Sequence, residues 1–385
     1  MNRHTAFVAL AAAALAACAD GGITNSNASL DAALVPGAPS AGAPSGVHAP
    51  GAVYALTNQV GDNGGNAVAV FKRAADGTLS WGGQIATGGT GTGGSLGSQG
   101  AVALSDDGRR LFAVNAGSND VSVFTVDGAG LTLAGRASSG GTLPISLTVH
   151  GNVLYVLNAG GSGNISGFTV DHDGGLTPIA GSTQPLSGAN VGPAQVSFSP
   201  DGRHLVVTEK STNLLDVYAV DANGVASGPT TVASAGGTPF GFGFGLHGEL
   251  FVSEAAGSAS SYVLGAGGNV SLVSGAVSTH RGAPCWAVVT NDGRFGYTGN
   301  GSGSVSAFAI APNGAVKLVD ADGGTAIVTS GVNDIALSHN SRYLYVLGTG
   351  AAPAIHAFRV QADGHLTALG SIAGLPAGTR GLAAF

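Results

Sequence analysis

The sequence predicts an all-β protein, a seven-bladed β-propeller of four-stranded antiparallel blades, on three observations. The first is a stretch that reads as one complete meander. Within Pro193 to Asp221, Gln195 to Ser199 alternates apolar and polar residues, Pro200-Asp201-Gly202 supplies a tight turn, and Leu205 to Thr208 returns as a β-rich run. A wider loop, Glu209 to Asn213, leads to Leu214 to Val220; Asn223-Gly224 turns the chain again, and Gly228 to Ala233 completes the sheet. The second is recurrence: an L-x-V-like anchor stands at Val53, Leu111, Leu154, Leu205, Leu250, Phe295 and Leu344, about 43 to 58 residues apart, in the range of propeller repeats. The third is composition, with 67 glycines in 385 residues and only 9% charged residues. Between alternating strands such glycine is turn chemistry, not disorder.

Taken in order, the blades account for the chain from Gly51 to Phe385. Blade one takes Val53 to Leu56, Ala67 to Phe71 and a strand ending near Ile85, with a turn at Asp76-Gly77 and no innermost strand in front of it. Gly88 to Gly97 bridges to blade two, Ala101 to Ser138. Blade three runs from Ile145 to about Thr183, and the opening meander is blade four. Blade five spans Gly241 to Ser274, blade six Trp286 to about Val319, and blade seven Ile335 to Ile372. Gly381 to Phe385 then reads as an innermost strand with nothing after it. Pairing it into blade one closes the ring and removes two exposed sheet edges.

The first fifty residues carry other signals. Arg3 and His4 precede an apolar run, Ala6 to Ala17, too short to span a bilayer, so residues 1–17 read as a signal peptide. Leu15-Ala16-Ala17-Cys18 resembles the lipobox of bacterial lipoproteins. That resemblance implies cleavage before Cys18 and diacylation of its sulfur, with Ala19 directing the product to the outer membrane or periplasm. Residues 18–50, rich in Ala, Gly, Ser and Pro, form a flexible tether. A lipidated Cys18 leaves Cys285 single, and no intramolecular disulfide is expected. With a formal charge of −7 and no Lys/Arg cluster, nucleic acid is excluded as a partner, and a monomer is expected. Neither a metal site nor a cofactor is expected: no Cys/His spacing suits zinc, and Asp171-His172-Asp173-Gly174 lacks the remaining ligands of a calcium loop.

Candidate site residues follow from the meander. The start of each innermost strand and the end of the second lie on one rim, because the two are antiparallel. Four or five places after the anchors stand Asn115, Asn158, Glu209, Lys210, Glu254 and Asn300; entering the innermost strands are Gln195, Trp286, Asp334 and Arg380, with His280-Arg281 just before blade six. In so charge-poor a chain this makes a polar funnel. Converging carboxylates of Glu209 and Glu254 would split into an acid and a base; the alternative is that each binds loop N–H groups or a neighbouring cation. Arg281 and Arg380 could clamp a substrate carboxylate, and His280 could serve as a base. Trp286 offers a stacking face or core packing.

Several strings carry a family resemblance: S-P-D-G-R from Ser199, V-T-E-K from Val207, T-P-F-G-F from Thr238, C-W-A-V-V-T-N-D-G-R from Cys285 and A-L-S-H-N-S-R-Y-L-Y-V from Ala336. They resemble the seven-bladed lactonase family, which includes bacterial 6-phosphogluconolactonases and carboxymuconate lactonising enzymes, and look closest to its secreted branch. The resemblance covers Val53 to Phe385 and implies hydrolysis or formation of a lactone of a small carboxylated substrate. One departure counts against carrying the chemistry over: the family's P-H-x-H string aligns with Pro193-Ala194-Gln195-Val196, where both histidines are missing. The second expectation is therefore a non-catalytic envelope propeller that binds a small ligand or an envelope protein.

Overall fold

The computed structural model describes residues 51–61, 65–127, 130–328, 330–350 and 352–385. The signal peptide, Cys18 and the tether lie outside the described residues. Seven antiparallel sheets follow one another along the chain, and in all but the first the strands run in sequence order from the inside out as a four-stranded meander. In blade four these strands are Pro193–Phe198, His204–Glu209, Leu214–Val220 and Ala226–Ala233. The second strand thus takes in Glu209, which the sequence reading left in the loop. Blades three and six split the outermost strand in two, Leu176–Pro178 with Gln184–Pro185 and Val316–Leu318 with Ala326–Ile327. No α-helix occurs among the described residues.

The closure is as expected. Arg380–Ala384 pairs antiparallel with Gly51–Leu56, matching Val53 to Ala384 and Ala55 to Leu382, so the last strand is the innermost strand of the first blade. Asp334 of blade seven reinforces the seam, accepting a hydrogen bond from Leu382 N at 2.9 Å.

Burial falls from the inner strands to the outermost. Leu79–Ala86, for example, is mostly exposed or half-buried, while Gly51–Leu56 is buried along all but its first residue. Apolar side chains between adjacent sheets supply the cohesion. A tyrosine sets the inter-blade register three times: Tyr155 donates to Gly224 O (2.6 Å), Tyr297 to Gly364 O (2.9 Å) and Tyr345 to Gly77 O (3.0 Å), each reaching the outer turn of the next blade. A buried phenol needs such an acceptor. Each tyrosine follows the repeat anchor by one place, so the blade-six anchor is Gly296, not Phe295. A side chain at Gly296 would collide with Phe251 of blade five, which explains the departure from the repeat.

Candidate functional site

The last residue of the second strand was expected on an open rim. It is buried in every blade where it is polar: Asn115, Asn158, Glu209, Glu254 and Asn300 are all 0% exposed, as is Thr57, which follows the corresponding strand of blade one. Side chains there turn toward the third strand or the loop arriving from the previous blade. Asn115 Nδ2 donates to Ser122 Oγ (2.8 Å), Asn300 Nδ2 to Ser306 Oγ (2.8 Å), and Asn158 Nδ2 to Asn164 Oδ1 (2.8 Å) and Ser139 O (3.1 Å). Glu254 accepts four bonds, from Ser234 Oγ (3.1 Å), Gly236 N (2.8 Å), Ser258 Oγ (2.5 Å) and Ser260 Oγ (2.5 Å). These residues tie blades together, because a buried polar end must find its partners locally.

Residues entering the innermost strands form a second set of ties. Gln195 bonds both backbone groups of Phe242, with Nε2 to O at 3.1 Å and N to Oε1 at 2.8 Å. Asp334 joins blade seven to the closing strand, and burial pushes its carboxyl up to about 8. The glycine-rich bridge does more than connect. Gln99 crosses from blade two to blade six, holding Ala287 N (2.9 Å) and O (2.7 Å), while its own N–H reaches Ala194 O in blade four (3.1 Å). Only glycine fits at Gly241, where a Cβ would lie 2.0 Å from Gln99 Oε1. Trp286 is 2% exposed, donates to Ser98 O (3.1 Å) and meets Phe240 edge-on, so it offers no open stacking face. The centre of the ring is thus filled where an open funnel was expected. Ala194, at one of the missing histidine positions, is fully buried beneath this crossing.

The cations and the histidine do not gather with the glutamates. Arg281 is paired with Asp322 at 2.7 Å, Arg380 Nη1 donates to Thr379 O (2.7 Å), and His280 is exposed on a left-handed turn (φ 54°). Cys285 is fully buried and engaged in a disulfide, against the expectation of a single thiol; its partner lies outside the described residues. Among the described residues no group of three or more His, Cys, Asp or Glu side chains is placed to hold a metal.

Lys210 is the predicted residue that lines a cavity. A hollow of about 300 Å³ opens between blades three and four, bounded by Leu96 of the glycine-rich bridge, Ser162 of blade three, and Leu186, Asn190 and Val191 of the connection into blade four. Lys210 Nζ donates to Pro193 O (2.9 Å) and to Gly97 O, and lies 5.0 Å from the Phe240 ring centre. Burial pushes its ammonium down to about 8. An ammonium has three donors, so one remains for a group entering the hollow.

Behind the wall of this cavity lies a cluster that the sequence reading missed. Glu209 accepts from Ser187 N (3.1 Å), Ser187 Oγ (2.5 Å) and Thr212 Oγ1 (2.6 Å). Asp216, fully buried in the third strand, accepts from the same Ser187 N (3.1 Å), so one N–H bridges the two carboxyl groups. Burial, then Glu209, pushes the Asp216 carboxyl up to about 8. Asp216 stands opposite Val207, as Ser122, Ser166, Ser260 and Ser306 stand opposite the same place in their blades. Aligning third strands would have exposed the anomaly.

The fold defines the class of protein first: a seven-bladed propeller. It superposes on a Bacteroides fragilis protein provisionally described as a 6-phosphogluconolactonase (TM-score 0.68, 18% identity, 88% of this chain and 99% of that one). It likewise superposes on the periplasmic gluconolactonase of Pseudomonas aeruginosa (0.67, 18%, 86% and 98%) and on a Lactobacillus plantarum protein (0.69, 18%, 86% and 98%). No curated protein matches the chain in sequence. Residues 64–184 match the family model described as Lactonase, 7-bladed beta-propeller. The chain is thus a seven-bladed propeller that resembles, over residues 64–184, the lactonase family, and in its fold the 6-phosphogluconolactonase-like structures.

Proposed function

We propose that the protein is an exported lactone hydrolase acting on a small polar or carboxylated lactone, and that its site is the cavity between blades three and four. The observation that carries this reading is Lys210, a cation beside a hollow of ligand size in a lactonase-family propeller. Hydrolysis adds water to the ring carbonyl, places negative charge on its oxygen, and ends when the ring C–O bond breaks and the released alkoxide takes a proton. With its ammonium near pH 8, Lys210 is mostly charged at neutral pH, and its remaining N–H can stabilise the oxyanion. Fixing two of its three N–H groups on Gly97 O and Pro193 O pre-orients the third.

A panel of aldonolactones and muconolactones, assayed with the protein and with Lys210→Met, tests the reading. Removing one charged donor to an oxyanion lowers kcat by about 10²–10³. Equal turnover by the variant removes the assignment. No turnover by either protein favours the second reading, a propeller that binds an envelope ligand, for which the observation is that both rim glutamates are fully engaged in structural bonds.

Export through the signal peptide and a lipid anchor on Cys18 belong to the same proposal. Cys18 and Cys285 are the chain's two cysteines. The intact mass of the membrane-extracted protein tests the diacylglyceryl thioether on Cys18.

A further inference from the structure

We infer that Glu209 and Asp216 share a single proton, and that this proton holds the Leu186–Val191 wall of the cavity in place. Asp216 is thereby a positioning residue for the site proposed above, and the inference rests on that reading of the cavity. Three observations carry it. The two carboxyl groups are fully buried side by side, where Glu209 disfavours a charge on Asp216 and two carboxylates have no hydrogen to offer each other. Asp216 Oδ1 has no donor among the described residues, the position expected of an oxygen that carries or meets the shared proton. Finally, one backbone N–H, that of Ser187, reaches both groups at 3.1 Å, so the pair grips the segment that continues into the cavity wall.

The groups facing the pair favour retention of the proton. Tyr218 OH lies 3.5 Å from Asp216 Oδ2 but donates a better bond to Pro185 O (2.9 Å). Lys210, next to Glu209 in the chain, turns its ammonium to the carbonyls of Gly97 and Pro193. Ser187 and Thr212 supply neutral donors to Glu209. Ionising both acids would place two like charges on one bridging N–H, with no facing cation among the described residues, which is the situation that raises one pKa of a carboxyl pair. Asp216 accordingly sits near pH 8.

The sign of the linkage is fixed. An unfolded Asp loses its proton near pH 4, whereas folded Asp216 keeps it to about 8, so stability falls as pH rises through this window. Lys210 acts oppositely and later: its folded value is depressed, so it adds stability above about pH 8, as the folded state sheds a proton that the unfolded chain retains. Asp334, also near 8, adds to the fall in wild type and variant alike.

The experiment compares the full chain with Asp216→Asn, whose amide N–H replaces the shared proton. Between about pH 5 and 8 the ratio of the two unfolding constants is expected to change by up to tenfold per pH unit, with the variant gaining as pH rises. Amide exchange of residues 186–191, corrected for its intrinsic rate, is expected to accelerate above pH 8 in wild type and to stay protected in the variant. A ratio independent of pH overturns the shared proton. A changing ratio with identical exchange at the wall overturns the coupling to the cavity. Glu209→Gln, which supplies the same N–H from the other side, gives the same readouts should Asp216→Asn fail to fold. Neither readout uses turnover, so a failed lactone assay leaves the two results distinct.

Discussion

The connections entering blade four and blade five are built to one plan and end in different electrostatic states. In each, a glutamate closes the second strand, is fully buried, and accepts hydrogen bonds from the loop arriving from the previous blade. Blade five opposes Glu254 with Ser260, so one charge meets neutral donors. Blade four opposes Glu209 with Asp216, so a second acid must stay protonated. The comparison teaches that the charge stored in a connection is set by the third-strand residue, and that the stored charge lies beside the cavity.

Removing the glutamates tests the comparison most severely. Glu254→Ala leaves four donors, two of them buried, without this acceptor and is expected to cost about 3–5 kcal/mol in urea unfolding at pH 7. Glu209→Ala also strips donors, but it removes the carboxyl that keeps Asp216 from ionising, and a loss about half as large is expected. Equal losses would break the claim that the two connections differ in charge state.

Ser260→Asp sharpens the comparison by building the blade-four arrangement into blade five. The new acid faces Glu254 and has to keep its proton. A penalty of about 2–3 kcal/mol is expected at pH 8, shrinking toward pH 5 as both unfolded acids approach their own titration range. A penalty of equal size at both values would mean that packing, not charge, separates the two blades.

These differences also explain how much the sequence could reveal. The meander, its seven copies and the closing strand were legible because alternation and turn glycines are local signals, repeated down the chain. Glu209, Glu254, Asn115, Asn158 and Asn300 were legible as a set, but their common position marks a shared structural task. The same spacing that aligned them on a rim also turns them inward between strands. Gln99 could not be read at all as a filler of the centre, since its partner Ala287 is 188 residues away and nothing local encodes the crossing. Lys210 was legible as a rim cation, yet the cavity beside it depends on Leu96 and Leu186 from two distant connections.

The smallest expected effect concerns His280, and it decides which connection carries the chemistry. The residue is exposed at φ 54°, a conformation that costs a side chain energy and glycine little. His280→Gly is therefore expected to raise stability by a few tenths of a kcal/mol, because relief of the left-handed backbone offsets the added freedom of the unfolded chain. Its catalytic consequence follows from distance in the fold: His280 precedes blade six, while the cavity lies between blades three and four. If His280→Gly lowers lactone turnover tenfold while Lys210→Met does not, the active rim is the one near blade six, and the acid pair of blade four is a structural element with no catalytic neighbour. The reverse pattern ties the stored proton and the cation to one site, and makes the acid at Asp216 the feature that separates the working connection from the four whose third strand carries serine there.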